Sequence, residues 1–220
     1  MDWTALGLSL RLAGLTVLIL APLGIFIGRW LAWGRFRGKI WLEALLALPL
    51  VLPPTVLGFY LLALMGRHSF PGQFYEAVFG RTLTFSFEGL LLASLVFNLP
   101  FAIQPMQRAF EAIPGAVREA ALCCGMSHGR RLWRIDMALA WPGILSAMVL
   151  TFAHTLGEFG VVLMVGGNIP GETRTLAIAI YDRVQAFDTT GAAVMSGVLL
   201  LVSLSAIGVS YLTVKRRGVT

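Results

Sequence analysis

The chain has 220 residues, a formal net charge of +6 and an isoelectric point near 10.0. Hydrophobic residues make up 57% of it, charged residues only 13%, and the mean hydropathy is +0.80, which excludes an ordinary soluble domain. The basic charge does not indicate a nucleic-acid partner, because the lysines and arginines cluster at the ends of apolar runs, as topology signals do. We therefore expect an integral membrane protein in contact with the lipid bilayer.

Five apolar runs are long enough to cross a bilayer as helices, which takes about 20 residues. Lipid offers the backbone no hydrogen-bond partners, so such runs must be helical and the predicted fold class is all-α. We predict one transmembrane domain over residues 1–220, with a first span that is retained rather than cleaved as a signal peptide. The predicted spans are residues 9–32, 41–65, 87–107, 142–165 and 191–213.

The distribution of basic residues predicts the orientation. If the N-terminus lies outside, twelve lysines and arginines fall on the inner side and five on the outer side. Basic residues are enriched in cytoplasmic loops. We therefore predict an outer N-terminus and a cytoplasmic C-terminus.

Prolines mark the second and third spans. The second contains Pro49, Pro53 and Pro54, and the third contains Pro100 and Pro105. Proline removes a backbone donor and bends or interrupts a helix. In a membrane, broken helices are tolerated where they face protein or a water-filled cavity. The prolines thus indicate a transport pathway or a hinge, with a simple packing kink as the alternative.

The fourth span carries two ionisable residues, His154 and Glu158. Such groups usually face the interior of a bundle. Being four apart, they share a helix face and could hydrogen-bond to each other. They are either a polar pair that holds helices in register, or part of a translocation route together with Thr151 and Thr155.

Two outer segments are candidates for contact with a periplasmic partner, although both could be solvated connectors. One is the predicted loop at residues 70–72, and the other is the turn-rich stretch 165–175. An amphipathic outer helix is predicted after the second segment. Its apolar positions are Leu176, Ile180, Val184 and Phe187.

The inner segment 116–140 is predicted to form a helix, a break at residues 125–127, and a second helix with Ser127 as its N-cap. The first helix has a stripe of small residues by which it could press against a partner, with Arg118 and Glu119 turned away. An ordinary helical hairpin is the alternative. The stripe consists of Val117, Ala120, Ala121 and Cys124.

This segment resembles the EAA loop of the membrane subunits of bacterial ABC importers. The resemblance lies in the spacing Glu-Ala-Ala, three residues, Gly, nine residues, Ile. It implies that residues 109–138 form a cytoplasmic coupling loop that docks into a groove on a separate ATP-hydrolysing subunit. The chain departs from the usual Ile-x-Leu-Pro continuation, because it has Ala138 in place of that proline. The implied coupling residues are Glu119, Ala120, Ala121, Gly125 and Ile135.

Three further stretches, at residues 48–54, 154–160 and 167–171, resemble the permease subunits of molybdate importers and, more loosely, of sulfate and tungstate systems. The resemblance implies a type I ABC importer-like fold in the bacterial inner membrane. It also implies a homodimer, two ATP-binding subunits, a periplasmic oxyanion-binding protein and alternating access. An oxyanion needs weak, neutral donors along its route. Suitable types are Thr55, Asn98, Thr151 and Thr155. The remaining candidates for the pathway or gate are His154 and Glu158, of which Glu158 would repel the anion and is better explained as a structural or gate element.

The chain lacks the sequence features of a motor or an enzyme. Its nearest approach to a phosphate-binding loop, residues 34–40, is one residue short and has Ile40 where a Ser or Thr is required. We expect no catalytic residues, no cofactor and no metal, and ATP hydrolysis by a partner. Two alternatives remain, an ion-coupled secondary transporter and a non-transporting scaffold.

Overall fold

The structure is a computed structural model that describes residues 1–217. The described chain is helical and contains no β-strand, so the predicted all-α fold class is confirmed. The end of the predicted domain, residues 218–220, lies outside the described residues. The helices are α1 (Trp3–Trp33), α2 (Lys39–Val51), α3 (Pro54–Met65), α4 (Phe70–Phe79), α5 (Phe87–Glu111), α6 (Gly115–Cys123), α7 (His128–Arg131), α8 (Met137–Gly157), α9 (Gly160–Gly166), α10 (Leu176–Gln185) and α11 (Thr189–Arg217), with a π-helical segment (Leu132–Asp136) between α7 and α8.

Helices α1 and α5 pack side by side and run in the same direction. Thr16 of α1 is hydrogen-bonded to Ser94 of α5, with their hydroxyl oxygens 2.9 Å apart. Further along both helices, a Cβ added to Gly28 would lie 2.9 Å from the backbone nitrogen of Gln107. Glycine is therefore required for this close approach. Because both helices run the same way, α2 to α4 must return the chain to the end where α1 began.

The return is made by a broken pair of helices rather than by one straight span. Between α2 and α3 the helix axis bends by 111° at Leu52 and Pro53. The predicted interruption of the second span is therefore confirmed. Four other segments are long and apolar enough to cross a membrane. They are residues 3–33, 87–111, 128–157 and 189–209.

The fourth predicted span is also broken, whereas the third is not. Helix α8 ends at Gly157, and α9 starts at Gly160 after a short extended linker. Helix α5, by contrast, continues through Pro100 and Pro105. The interruption expected in the third span is therefore not found.

Helix α8 runs antiparallel to α5. A Cβ added to Gly143 would contact Ala109, and His154 contacts Asn98. The loop that joins α5 to α8 therefore lies at the same end of the bundle as the end of α1. The N-terminus and the α9–α10 segment lie at the opposite end, where Ala5 packs with Leu176.

The predicted loop at residues 70–72 is the first turn of α4. Ser69 caps this helix, with its hydroxyl oxygen accepting a hydrogen bond from the Gly72 amide at 3.1 Å. Ser at the N-cap and Pro71 in the first turn are both helix-start signals. The connection predicted as an outer loop between the second and third spans therefore contains a helix.

Helix α10 forms where it was predicted, and it buries part of the predicted apolar stripe. Its buried residues are Leu176, Ile178 and Ala179, whereas Val184 is 54% exposed and Phe187 is 90% exposed. Phe187 lies beyond the helix, which ends at Gln185. Leu176 of the predicted stripe is buried, and Ile180 packs half-buried against the cluster that contains Met195 of α11, so the stripe is confirmed at these two positions only.

Candidate functional site

The first candidate site is α6, a short helix at the end of the bundle where α1 and α5 finish. Glu119 and Ala120 are exposed, and only Ala121 is buried, with 4% of its surface accessible. The Arg118 guanidinium lies 3.5 Å above the ring of Trp33, a cation–π contact that attaches α6 to α1. The helix therefore packs on the bundle through Arg118 and Ala121. The sequence did not predict this contact of Arg118 with the bundle.

The remaining positions of the predicted small-residue stripe face solvent. Val117 is 38% exposed, and Ala120 and Cys124 are also exposed. Of the four stripe residues, Ala121 is therefore buried inside the subunit, and the other three are exposed on its surface. Glu119 makes no side-chain hydrogen bond or ion pair within the described residues. The exposed face of α6 is free to contact another protein.

Gly125 ends α6 in a left-handed conformation, with φ of 69°. The Gly125 amide donates to the Leu122 carbonyl at 2.9 Å, and the Met126 amide donates to the Ala121 carbonyl at 3.1 Å. This pair of bonds is a Schellman motif, in which glycine carries the left-handed residue at least cost. The predicted break is confirmed, and it has a cause within the loop itself.

Beyond the break, Ser127 caps α7 as predicted, because its hydroxyl accepts from the Arg130 amide at 3.4 Å. The π-helical segment then contains Ile135, which is half-buried, and Asp136, which is fully buried. The Asp136 carboxylate accepts a hydrogen bond from Arg29 at 2.9 Å. This Arg29–Asp136 ion pair, which joins the loop to α1, was not predicted from the sequence. After Asp136 the helix continues through Ala138 without a break.

The second candidate site is a chain of hydrogen bonds inside the bundle. The Asn98 amide donates to the Ser94 carbonyl at 2.9 Å, and the Asn98 oxygen lies 3.1 Å from the His154 ring nitrogen. Ser94 continues the chain to Thr16 on α1. Three helices are therefore linked through side chains that lipid could not satisfy. Sequence reasoning missed Thr16 and Ser94, whose only signal is a small polar residue within an apolar run.

His154 is held by aromatic rings as well as by Asn98. Its ring is stacked 3.7 Å from Phe101 and 4.9 Å from Phe97, measured between centroids. Its hydrogen-bond partner is Asn98 rather than Glu158, so the predicted pairing of His154 with Glu158 was wrong. The reason is that α8 ends at Gly157, and Glu158 no longer continues its face.

Glu158 instead caps the next helix. Its carboxylate accepts a hydrogen bond from the Val161 amide in the first turn of α9, at 2.9 Å. The residue is 7% exposed. A carboxylate at a helix N-terminus is favoured by the orphan amides and by the helix dipole. Glu158 therefore stabilises the restart of a broken span.

The two broken spans meet at their breaks. A Cβ added to Gly160 would lie 2.8 Å from the Cβ of Pro54, so α9 and α3 begin side by side. A Cβ added to Gly58 would lie 2.8 Å from the Met164 side chain one turn later. Two interrupted helices at one level are typical of a hinge or of the lining of a cavity.

The other predicted pathway residues are separated by the fold. Thr55 is exposed in the first turn of α3. Thr151 and Thr155 are buried on α8, at 1% and 4% exposure, and the Thr155 hydroxyl donates to the Thr151 carbonyl at 2.8 Å. Asn98 and His154 are joined across two helices, whereas the Thr151–Thr155 hydrogen bond lies within α8. Within residues 1–217, no group of three or more His, Cys, Asp or Glu side chains is placed to hold a metal ion.

Comparison with protein families relates this arrangement to transport systems. Residues 21–218 match the family described as binding-protein-dependent transport system inner membrane component. The chain is 47% identical over 202 residues to the molybdenum transport system permease protein ModB of Azotobacter vinelandii, covering 92% of this chain and 89% of that protein. It is 41% identical to ModB of Escherichia coli K12 over 184 residues, covering 84% of this chain and 80% of that protein.

More distant similarities extend in two directions. A probable sulfate transport system permease protein, cysT of Chlorella vulgaris, is 29% identical over 197 residues, covering 90% of this chain and 74% of that protein. Among solved structures, a bacterial ABC transporter involved in the import of alginate has a TM-score of 0.77 at 16% identity. The match covers 97% of this chain and 78% of that chain. At this identity it shows a shared fold.

Proposed function

The chain belongs to the family of binding-protein-dependent transport system inner membrane components, and we propose that it carries molybdate as the permease subunit of an ATP-driven importer. Identity to the molybdenum permeases reaches 47%, whereas it is 29% for the sulfate permease, which favours molybdate over sulfate. The described helices fit a multi-pass inner membrane protein. Sulfate and tungstate are the alternative cargoes.

The observation that carries the proposal is the exposed face of α6. Within residues 1–217 this helix presents Glu119 and Ala120 without a side-chain partner, and Gly125 ends it in a left-handed conformation. We propose that a cytoplasmic ATP-binding subunit contacts this face. Ala121 then anchors the helix to the permease, and Ile135 lies in the π-helical segment through which the loop joins α8.

The proposed orientation places α6 in the cytoplasm and the N-terminus outside. It is supported by the inner ends of α1 and α5, which lie beside the arginine-rich loop formed by α6 and α7. A second copy of the chain and a periplasmic oxyanion-binding protein would complete the importer. Exposed apolar side chains on α2 and α3, such as Trp41 and Tyr60, are available for lipid or for the second copy.

We place the gate where the two broken spans meet. If α6 is drawn towards the membrane centre when the ATP-binding subunits close, α8 moves with it, and the Glu158–Phe159 linker lets α9 stay with α3. Thr55 at this level is exposed and neutral, as a weak oxyanion donor should be. The Asn98–His154 contact lies on the moving face of α8, and Thr151 and Thr155 support that helix from inside.

Transport by the reconstituted importer tests the proposal. Vesicles containing this chain, its ATP-binding subunit and its binding protein should take up molybdate when ATP is inside, and excess sulfate should not compete. Vesicles without the binding protein, and vesicles without ATP, are the controls. Uptake that sulfate or tungstate abolishes would move the assignment to that anion. Uptake driven by an ion gradient in the absence of ATP would contradict the proposal and favour a secondary transporter.

A further inference from the structure

A cavity of about 530 Å³ lies between the inner end of α1 and the loop formed by α6 and α7. Its mouth is at the surface, because the lining residues His128 and Gly129 are exposed. It is separate from the exposed face of α6 and from the level at which the broken spans meet. The lining consists of Arg29, Trp30, Trp33, Gly34, Arg118, His128, Gly129, Arg131 and Leu132.

The lining is strongly basic. Three guanidinium groups, of Arg29, Arg118 and Arg131, face the cavity, and no lining residue is acidic. One counter-charge, the buried carboxylate of Asp136, pairs with Arg29 from outside the lining. The cluster therefore holds about two positive charges more than the local carboxylate can balance.

Two of these arginines have unused hydrogen-bonding capacity. Arg131 is only 6% exposed, and its Nε has no hydrogen-bond partner within the described residues. Its one side-chain hydrogen bond within residues 1–217 joins an Nη atom to the His128 Nδ1 atom, at 3.3 Å. The Nε of Arg118 is likewise buried without a partner in residues 1–217. Leaving such charged donors buried and unpaired costs free energy, which an incoming anion would recover.

The electrostatic environment agrees with this geometry. Burial lowers the pKa of Arg118, and the neighbouring Arg131 lowers it further; Asp136 opposes this, and Arg29 adds to it. An arginine remains protonated nonetheless, so the shift reports a crowded positive site rather than a neutral one. Planar guanidinium forks bind phosphate-type oxygens in a bidentate manner.

From these observations we propose that the cavity is a binding site for a phosphate-type oxyanion on the cytoplasmic side of the permease. The site joins α1 to the α6–α7 loop, so an occupant would hold the loop against the bundle through Arg118 and Arg131. This proposal does not depend on which cargo the permease carries.

Two sources could supply that chemistry. The first is the headgroup of an anionic phospholipid, since basic pockets between helices at the cytoplasmic face bind such headgroups. Trp30 and Trp133, 47% and 71% exposed, lie at this end of the bundle, as aromatic side chains do at a membrane interface. The second is free inorganic phosphate, which could enter past His128.

The test compares the wild type with Arg131→Gln in the complex with the ATP-binding subunit. The matched control is Arg130→Gln, which makes the same charge change at an exposed neighbour outside the cavity. In one arm, native mass spectrometry counts phosphatidylglycerol retained from nanodiscs of phosphatidylglycerol and phosphatidylcholine. In the other arm, calorimetry in phosphatidylcholine nanodiscs titrates inorganic phosphate.

We expect retention of phosphatidylglycerol, or the affinity for phosphate, to fall about tenfold in Arg131→Gln and to be unchanged in Arg130→Gln. A loss in the first arm identifies the lipid as the source, and a loss in the second arm alone identifies the free anion. If Arg131→Gln fails to assemble, Arg118→Gln provides the same comparison. Equal binding of both probes by the wild type and the cavity variants would overturn the proposal.

Discussion

Helices α6 and α10 have similar lengths and each connects two spans, but they differ in how many side chains they bury. They have nine and ten residues. Helix α10 buries Leu176, Ile178 and Ala179 and is tied to α1 by the hydrogen bond from the Leu176 amide to the Ser9 hydroxyl, at 2.8 Å. Helix α6 buries only Ala121.

The difference shows which of the two helices is complete within one subunit. Three buried side chains and a Thr175 cap hold α10 in place. Helix α6 has no side-chain N-cap and relies on the Arg118–Trp33 contact and on its Gly125 end. A short helix with so little burial is marginal by itself. It can therefore be stabilised, and moved, by a partner.

The largest expected effect is on the free energy of unfolding, and it compares the removal of a buried side chain from α10 with that of an exposed one from α6. Leu176→Ala should lower the free energy of unfolding by about 2–5 kcal/mol, because it removes a fully buried side chain. Leu122→Ala in α6, where the leucine is 52% exposed, should change it by less than about 0.5 kcal/mol. Thermal unfolding in detergent measures both. A similar loss in the two variants would mean that α6 is packed as firmly as α10.

The second prediction concerns the surface of α6. Glu119→Lys should leave stability unchanged but weaken binding of the ATP-binding subunit by roughly 30-fold, about 2 kcal/mol, the size expected for an interface hot spot. Co-purification of the two subunits measures the loss. The matched control is Glu172→Lys, the same charge reversal at an exposed site at the other end of the bundle. Normal assembly of Glu119→Lys with the ATP-binding subunit would contradict the proposal that α6 is the docking surface.

A third prediction tests whether the left-handed conformation of Gly125, at the end of α6, contributes to stability. Gly125→Ala should cost about 1 kcal/mol, because the residue has φ of 69° although a Cβ would meet no other atom. Gly129→Ala, in the exposed helix α7, should be neutral or stabilising by about 0.5–1 kcal/mol. Thermal unfolding again measures both variants. Equal stability of the two would show that the left-handed turn is not needed.

The smallest effect is the pH dependence of the α10–α11 turn. The hydrogen bond from the Gly191 amide and that from Arg183 hold the pKa of Asp188 below its usual range. A depressed carboxylate pKa stabilises the fold above about pH 4, and this stabilisation is lost as the pH falls through the folded-state pKa. The midpoint temperature of thermal unfolding should therefore be higher for the wild type than for Asp188→Asn at pH 6.

As the pH is lowered towards 3, the midpoint temperatures of the wild type and Asp188→Asn should converge. A difference that stays constant over this range would exclude Asp188 as an acid-sensitive cap. Helix α6 has no acidic residue in its first turn, so no comparable acid-labile cap is expected there.

Local chemistry was enough to predict the helical fold, the break in the second span, the break at residues 125–127 and the Ser127 cap, but not the break between α8 and α9. The apolar runs require helices, Pro53 and Pro54 remove donors in the second span, and Ser127 supplies a cap oxygen. Each of these effects acts within a few residues along the chain. For the same reason the coupling-loop spacing at Glu119 to Gly125 could be recognised before the fold was known.

Side-chain partners and buried faces were decided by the tertiary structure. His154 pairs with Asn98, 56 residues away, and Arg29 pairs with Asp136, 107 residues away. The sequence determined that this chain is a helical membrane protein with an interrupted second span and a helix resembling a coupling helix, whereas the interruption between α8 and α9 became apparent only in the structure. Which side chains meet, and that the breaks lie against each other at Pro54 and Gly160, depends on how each helix is rotated and packed, and packing is a property of several helices together.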